Sequence, residues 1–161
     1  MAEAASTDLE GLDGWLTLVI LGLIGSPIQI VVSFATKFWP LFRNGAWNAL
    51  TTPGSPIYHS MWAPLLIFEI AGNVVLIVLP IVTLVLLFKR SRKTPRWAIA
   101  WFALWVCFAV ADYCLGNLVP AVAAAQSGRY GVAGIVYTSV AAVIWIPYFL
   151  VSKQVKATFI R

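Results

Sequence analysis

Residues 62–88 read WAPLLIFEIAGNVVLIVLPIVTLVLLF, a stretch without a basic side chain and with one acid, Glu69. One helical crossing of a bilayer requires about 20 predominantly apolar residues, and this stretch exceeds that length. It is therefore predicted to be a transmembrane helix, and the rest of the chain is expected to fold in or next to a lipid bilayer.

Three further stretches are also free of basic residues and long enough to cross a bilayer. Of the 161 residues, 61% are hydrophobic and 11% charged, whereas about a quarter of the residues in a soluble domain are charged. The predicted fold class is therefore all-α, a polytopic membrane protein built as a four-transmembrane-helix bundle, with connections too short for a soluble catalytic domain. The predicted parts are a leader (1–13), a membrane domain (14–151) with spans at about 14–36, 63–88, 97–119 and 132–151 and an ordered outer loop at 37–62, and a tail (152–161).

The basic residues predict the orientation of the bundle. The formal charge is +5, and most of the eleven Lys and Arg residues lie either between the second and third spans or in the tail. Loops rich in Lys and Arg stay in the cytoplasm, so both termini are predicted to be cytoplasmic. Because orientation explains the charge, no nucleic-acid partner is predicted, and the lipid bilayer is the expected surrounding. The basic residues on the predicted cytoplasmic side are Lys89, Arg90, Arg92, Lys93, Arg96, Lys153, Lys156 and Arg161.

Two acids lie within the predicted spans, Glu69 and Asp112. A charged side chain at the centre of a bilayer costs about 2.5–3.5 kcal/mol even on an insertion scale, so such residues usually face the interior of the bundle. The second and third spans form an antiparallel hairpin, whose register places Asp112 level with Asn73, one helical turn from Glu69. The two acids are therefore predicted to lie close together in the outer third of the membrane.

Five polar residues form the predicted ligand-binding or proton-coupling site. In a medium that solvates charge poorly, the acids would hold a proton or be reached by Lys37 or Arg129 at the rim of the bundle. The amides would orient a ligand, and three aromatic residues of the outer loop would form a lid. The site residues are Glu69, Asp112, Asn73, Asn117 and Gln29, and the lid residues are Trp47, Tyr58 and Trp62.

The same polar residues also have a structural interpretation. A protonated Glu69 that hydrogen-bonds to Asn73 and Asp112 would clamp neighbouring helices, and such bonds contribute about 0.6 kcal/mol each and up to about 1.7 kcal/mol. A clamp of this kind needs neither a ligand nor the movement of protons. The sequence leaves both interpretations open.

No catalytic residue, metal site or cofactor is predicted. His59 is the sole histidine, which excludes a histidine-rich metal site. Serine nucleophiles have no base near them in the sequence, and no Gly-rich phosphate loop is present. The tryptophans Trp97, Trp101 and Trp105 recur at helical spacing and are interpreted as core or lipid-facing residues rather than as a cofactor site. An enzyme is therefore not the favoured class.

The favoured function is a small transport or ligand-binding protein with an outward-facing polar pocket, linked to protonation of Glu69 and Asp112. A homo-oligomer is expected, because four helices alone enclose little more than one narrow cavity. The alternative is a non-catalytic accessory or scaffolding subunit of a cell-envelope membrane complex. Its docking surfaces would be the tail at 155–161 and two stripes of small residues, Ala103, Cys107 and Ala111 in the third span and Gly134, Thr138 and Ala142 in the fourth. A membrane enzyme acting on lipid or quinone comes third, and the sequence identifies neither a ligand nor a partner.

Several strings of this sequence match one known family. They are GWL at 14–16, WNALTTPGS at 47–55, WAPLLIFEIAGN at 62–73, and WIPYF at 145–149 with VKATF at 155–159. With these strings the chain resembles the bacterial family called domain of unknown function 2569 over nearly its whole length, although the family commonly has Arg where this chain has Gln154. The resemblance implies a four-helix bacterial inner-membrane protein whose activity is unassigned, and it makes Glu69 and Asn73 members of a family motif.

Overall fold

The computed structural model describes residues 14–126 and 132–159, and four helices in these ranges are long and apolar enough to cross a membrane. They cover Trp15–Arg43, Trp62–Phe88, Thr94–Gly116 and Ala133–Val151. This confirms the prediction of an all-α, four-span bundle. The outer faces of the helices carry large apolar side chains that the protein leaves exposed, as expected of side chains that contact lipid. The predicted leader at 1–13 lies outside the described residues.

Proline and glycine mark several of the helix boundaries. Pro40 and Pro95 lie in the first turn of their helices, where a missing N–H costs nothing, and the third span accordingly begins at Thr94 rather than at residue 97. Gly45 adopts a left-handed conformation (φ 69°) that separates two short helices.

The helices are α1 (Trp15–Ser33), a π-helical turn (Phe34–Phe38), α2 (Trp39–Arg43), α3 (Ala46–Thr51), α4 (Trp62–Phe88), α5 (Thr94–Gly116), α6 (Pro120–Gln126), α7 (Ala133–Val151) and α8 (Lys153–Thr158).

The first span is longer than predicted. It does not end at Thr36 but continues through the π-helical turn into α2 and ends at Arg43. The rings of Phe34 and Phe38 stack with centroids 5.1 Å apart, and the hydroxyl of Thr36 donates to a main-chain carbonyl one turn earlier at 2.9 Å. These local contacts keep the backbone helical beyond the apolar run, so the connection between the first two spans shortens to 44–61.

The four long helices pack as a row rather than as a closed ring. α4 packs on α1, α5 packs on α4, and α7 packs on α5, whereas α1 and α7 do not lie side by side along their described lengths. These two helices touch through Trp15 and Trp145, whose rings meet edge to face with centroids 6.0 Å apart. A cleft therefore remains between α1 and α7, with α5 as its floor.

The two ends of the bundle differ in packing. The terminal end contains the start of α1, the link between α4 and α5, and the end of α7, whereas the loop end contains the connection at 44–61 and α6. Many of the most buried core residues, such as Leu16, Leu87, Ala98 and Phe149, lie toward the terminal end. The terminal end is therefore the more tightly packed part of the molecule.

The tail folds back on the terminal end as α8. The hydroxyl of Ser152 accepts a hydrogen bond from the N–H of Val155 at 3.4 Å, as a helix N-cap does. Val155 and Phe159 are only 2% and 6% exposed and belong to the core cluster, whereas Lys153 and Lys156 are exposed. The apolar side of the tail is thus covered by the same chain.

α4 and α5 approach each other closely where Gly72 faces the ring of Phe108. A methyl group added at Gly72 would overlap that ring. The ring also stacks on Phe68 with centroids 5.1 Å apart, so it cannot move away without losing this contact. The interface between α4 and α5 therefore depends on the absence of a side chain at residue 72.

Gly72→Ala is expected to lower the free energy of unfolding by about 1–3 kcal/mol, the usual cost of forcing an extra carbon into a packed interface. Thermal unfolding in detergent measures this loss. Gly134→Ala is the matched control, because a methyl group there meets no atom within 4 Å. Its melting temperature is expected to stay unchanged or rise, since Ala is the better helix former. Equal melting temperatures for the two variants would contradict the close approach of α4 and α5.

Candidate functional site

Glu69 of α4 and Asp112 of α5 form a pair of carboxyl groups within the membrane domain. Both side chains are half-buried, and their carboxyl groups lie within hydrogen-bonding distance of each other. Both residues lie in the halves of their helices that are nearer the loop end. These two residues are called the acid pair below.

Aromatic packing sets the register that brings the acids together. Phe68 directly precedes Glu69 on α4, and Phe108 lies one turn before Asp112 on α5. The two rings are stacked with an angle of 18° between their planes. Because this contact and the close approach at Gly72 fix the offset between α4 and α5, the acids meet across the interface.

The contact between the two carboxyl groups requires a proton. A carboxylate only accepts hydrogen bonds, so two carboxylates cannot bond to each other. Oδ1 of Asp112 is buried and has no hydrogen-bond donor among the described residues. One proton held between the acids would supply the donor for a hydrogen bond across the pair.

Lys37 is a cation that lies close to the acid pair. It lies in the π-helical turn, and its charge is within electrostatic range of both carboxyl groups. π-helical turns are frequent at functional sites. The Lys37 side chain is exposed, so its ammonium group is able to approach or leave the pair. Arg129, the other cation predicted at the rim, lies outside the described residues.

The three predicted amides lie on different surfaces of the bundle. Asn73 and Asn117 each donate a side-chain N–H to the main-chain carbonyl one turn earlier, at Glu69 and Tyr113 respectively, both at 2.8 Å. Asn73 also lies on the wall of an apolar groove between the first span and α4, whereas Gln29 lies in the cleft between α1 and α7. Their role as ligand-orienting groups stays a prediction.

The three aromatic residues predicted as a lid lie at the loop end. Trp47 belongs to α3, and its ring stacks on Phe42 with centroids 5.5 Å apart. Tyr58 is 39% exposed in the connection before α4. Trp62 begins α4 and lies two turns from Glu69 on the same side of the helix. Trp62 is therefore the predicted lid residue that helix geometry places on the side of the acid pair.

Apart from Gln29, the face of α1 that lines the cleft was not among the predicted site residues. This face includes Ser26, whose hydroxyl is buried without a hydrogen-bond partner in the described part of the chain. The sequence contains one indication of this face. Small and polar residues recur there at i, i+3, i+4 and i+7 within an apolar span, and this spacing places them on one side of a helix. The residues on this face are Gly22, Gly25, Ser26 and Gln29.

Metal binding finds no support in the side-chain arrangement. Within 14–126 and 132–159, no group of three His, Cys, Asp or Glu side chains is placed to hold a metal ion. Nδ1 of His59 instead accepts a hydrogen bond from the N–H of Met61 at 3.3 Å. The acid pair with Lys37 is the candidate site, because it brings two acids and a cation together within the membrane domain.

The sequence profile of a family described as Protein of unknown function (DUF2569) matches residues 9–160. The match includes all four spans, the acid pair and Lys37. No curated protein and no solved structure matches the chain significantly. The comparisons thus identify the family and provide no activity for the site.

Proposed function

The chain belongs to the DUF2569 family, and from the geometry of the acid pair we propose that it is a proton-linked transport or ligand-binding protein of the membrane. In this proposal Glu69 and Asp112 hold the proton, and Lys37 compensates the negative charge that remains when the proton leaves. The observation that carries the proposal is the direct contact between the two carboxyl groups across the α4–α5 interface.

Electrostatics favours a proton-carrying pair over a permanently ionised one. Two like charges 4 Å apart repel each other by about 4 kcal/mol at the effective dielectric constant of about 20 that describes sites in proteins. One shared proton removes this repulsion and adds a charge-assisted hydrogen bond, which is roughly twice as strong as a neutral one. The pair is therefore expected to release its proton only when another positive charge, such as Lys37 or a cationic ligand, replaces it.

One feature supports a working site over a structural clamp. Lys37 lies near the pair on an exposed side chain, and a clamp that only stabilises the bundle needs no such cation.

The proposal includes a location and an assembly. The proposed location is a bacterial inner membrane. The distribution of Lys and Arg supports an orientation in which both termini lie in the cytoplasm and the loop end faces outward. The acid pair then lies nearer the outer face. Self-association into a homo-oligomer is also proposed, because a row of four helices encloses no pathway of its own.

A pH jump across reconstituted membranes tests this function. The protein is placed in liposomes adsorbed on an electrode, and the charge displaced after a change in external pH is recorded, because protons that enter or leave the pair move charge without any added ligand. We expect a transient current that protein-free liposomes lack and that is lost in Asp112→Asn. Lys156→Gln, at an exposed position of the tail, is the control and keeps the current. Equal currents from the wild type and Asp112→Asn would contradict the proposal.

An accessory or scaffolding role has less support from the geometry. Such a role requires a docking surface, and one of the predicted surfaces, the described apolar side of the tail, is covered by the core of this chain through Val155 and Phe159. Purification from native membranes distinguishes the two functions. A stoichiometric partner protein together with the absence of a pH-dependent current would favour the accessory role.

A further inference from the structure

We infer that the cleft between α1 and α7 binds the ring of a membrane-dissolved quinone. The cleft is a cavity of about 250 Å³ that is lined by α1, α5 and α7. The contact between Trp15 and Trp145 lies at its terminal end. The acid pair is not among the residues that line the cleft, so this inference is independent of the proposed proton-linked function.

The size of the cavity limits the ligand to a single ring system. Pockets for drug-sized ligands measure about 300–1,000 Å³, and this cleft lies just below that range. Since α1 and α7 do not pack against each other, the cleft opens to the surface of the bundle that faces lipid. A hydrocarbon tail attached to the ring would therefore extend into the bilayer.

The floor of the cleft favours a planar ligand. The rings of Trp101 and Trp105 are stacked with centroids 5.3 Å apart, and the ring of Tyr137 meets Trp105 edge to face at 5.9 Å. Aromatic faces of this kind bind flat rings by offset stacking or edge contacts. The partly exposed Trp105 and the exposed Tyr137 thus form a platform for one ring, and the buried Trp101 supports it from behind.

The wall opposite this platform has no side chains at two positions. A Cβ atom added at Gly22 or at Gly25 would meet no atom within 4 Å, because both residues face the empty cleft. Glycine permits a ligand to lie directly against a backbone. A flat ring is therefore able to enter between α1 and the aromatic floor.

The polar groups of the cleft select a neutral ligand with acceptor oxygens. None of the described residues that line the cleft is charged, and an unpaired charge is costly in a membrane. Ser26 is 8% exposed, and its buried hydroxyl has no hydrogen-bond partner in the described chain. The hydroxyl of Ser26 and the amide of Gln29 are both able to donate to a carbonyl oxygen. A quinone ring is planar, neutral and lipid-soluble and carries such carbonyl groups, whereas an acyl chain would leave Ser26 unsatisfied.

Binding of decylubiquinone, a short-tailed benzoquinone, tests the inference. The full chain is embedded in nanodiscs, and tryptophan fluorescence and melting temperature are recorded during titration, because a ligand of the folded state raises that temperature. We expect saturable quenching and a rise in melting temperature for the wild type. Affinity is expected to fall at least about 10-fold in Gly25→Leu, which fills the cleft, and about 3- to 10-fold in Ser26→Ala, which removes one hydrogen bond.

Gly134→Leu is the control for Gly25→Leu, since residue 134 also faces open space but lies outside the cleft. It is expected to keep the wild-type affinity, and melting temperatures without quinone show that each variant is folded. Quenching that never saturates in the wild type, or equal affinities for Gly25→Leu and the wild type, would overturn the inference. Saturable quenching by lipids with brominated acyl chains that decylubiquinone does not displace would overturn it as well, by identifying an acyl chain as the occupant. None of these outcomes alters the pH-jump current, so the two proposals fail separately.

Discussion

The Glu69→Gln variant is expected to lose the pH-jump current while its melting temperature stays close to that of the wild type. A Gln side chain has nearly the same size as Glu and still donates an N–H to Asp112, but it cannot bind or release a proton. The loss in unfolding free energy is limited to about 0.6–1.7 kcal/mol, the contribution of one interhelical hydrogen bond in a membrane. The current is expected to fall to the level of protein-free liposomes. Both quantities are measured on the same preparation.

Glu69→Leu provides the comparison that separates function from stability. It removes the current too, but it also removes the carboxyl group that faces Asp112, and Oδ1 of Asp112 already has no donor among the described residues. An unsatisfied buried acceptor costs about 1–3 kcal/mol, so this variant is expected to be the less stable of the two. If both variants kept the current and lost stability equally, the acid pair would be a structural clamp.

Val155→Asp is expected to detach the tail from the bundle. Val155 is 2% exposed within the core cluster, and the cost of burying a carboxylate there is several kcal/mol. Because each 1.4 kcal/mol corresponds to a factor of about 10 in an equilibrium, amide hydrogen exchange of α8 is expected to accelerate at least about 100-fold. Hydrogen exchange with mass spectrometry in nanodiscs measures this change.

Lys153→Asp is the control for this change, since Lys153 lies in the same short helix but is exposed. Its exchange in α8 is expected to match that of the wild type. Exchange in α8 that is already fast in the wild type, or that is the same in both variants, would show that the tail does not pack on the core. Such a result would restore the tail as a docking surface for a partner.

The sequence predicted the four spans and the neighbourhood of Glu69 and Asp112 because both follow from local properties. A span depends on a continuous apolar run, whose length has to match the bilayer. The level of Asp112 relative to Asn73 follows from the constant rise of an α-helix and from the short link between α4 and α5. Neither step requires knowledge of distant contacts.

The cleft could not be predicted in the same way. The long helices are apolar on nearly every side, so the pattern of apolar residues does not indicate which side faces protein and which faces lipid. The separation of α1 and α7 depends on how all four helices pack, and the spacing of Gly22, Gly25, Ser26 and Gln29 gave the one local indication of it. The tail at 155–161 is predicted to be a docking surface because the sequence pattern does not show that its apolar side chains pack on the core of the same chain.

The predicted amides show a second limit of sequence reasoning. Asn73 and Asn117 have a main-chain carbonyl within reach one turn earlier on their own helices, and both use it. A local acceptor of this kind competes with partners on other helices. The π-helical turn that carries Lys37 also involves a local contact, the stacking of Phe34 on Phe38. The pattern of apolar residues does not distinguish a π-helical turn from an α-helix, so the sequence did not predict it.

Infrared spectroscopy of the carboxyl C=O stretch tests the shared proton between Glu69 and Asp112 most directly. A protonated carboxyl group absorbs separately from a carboxylate, and its band shifts when H₂O is replaced by D₂O. The account predicts such a band in the wild-type protein and its loss in both Glu69→Gln and Asp112→Asn. A wild-type spectrum with carboxylate absorption alone, or a protonated band that persists in both variants, would contradict it.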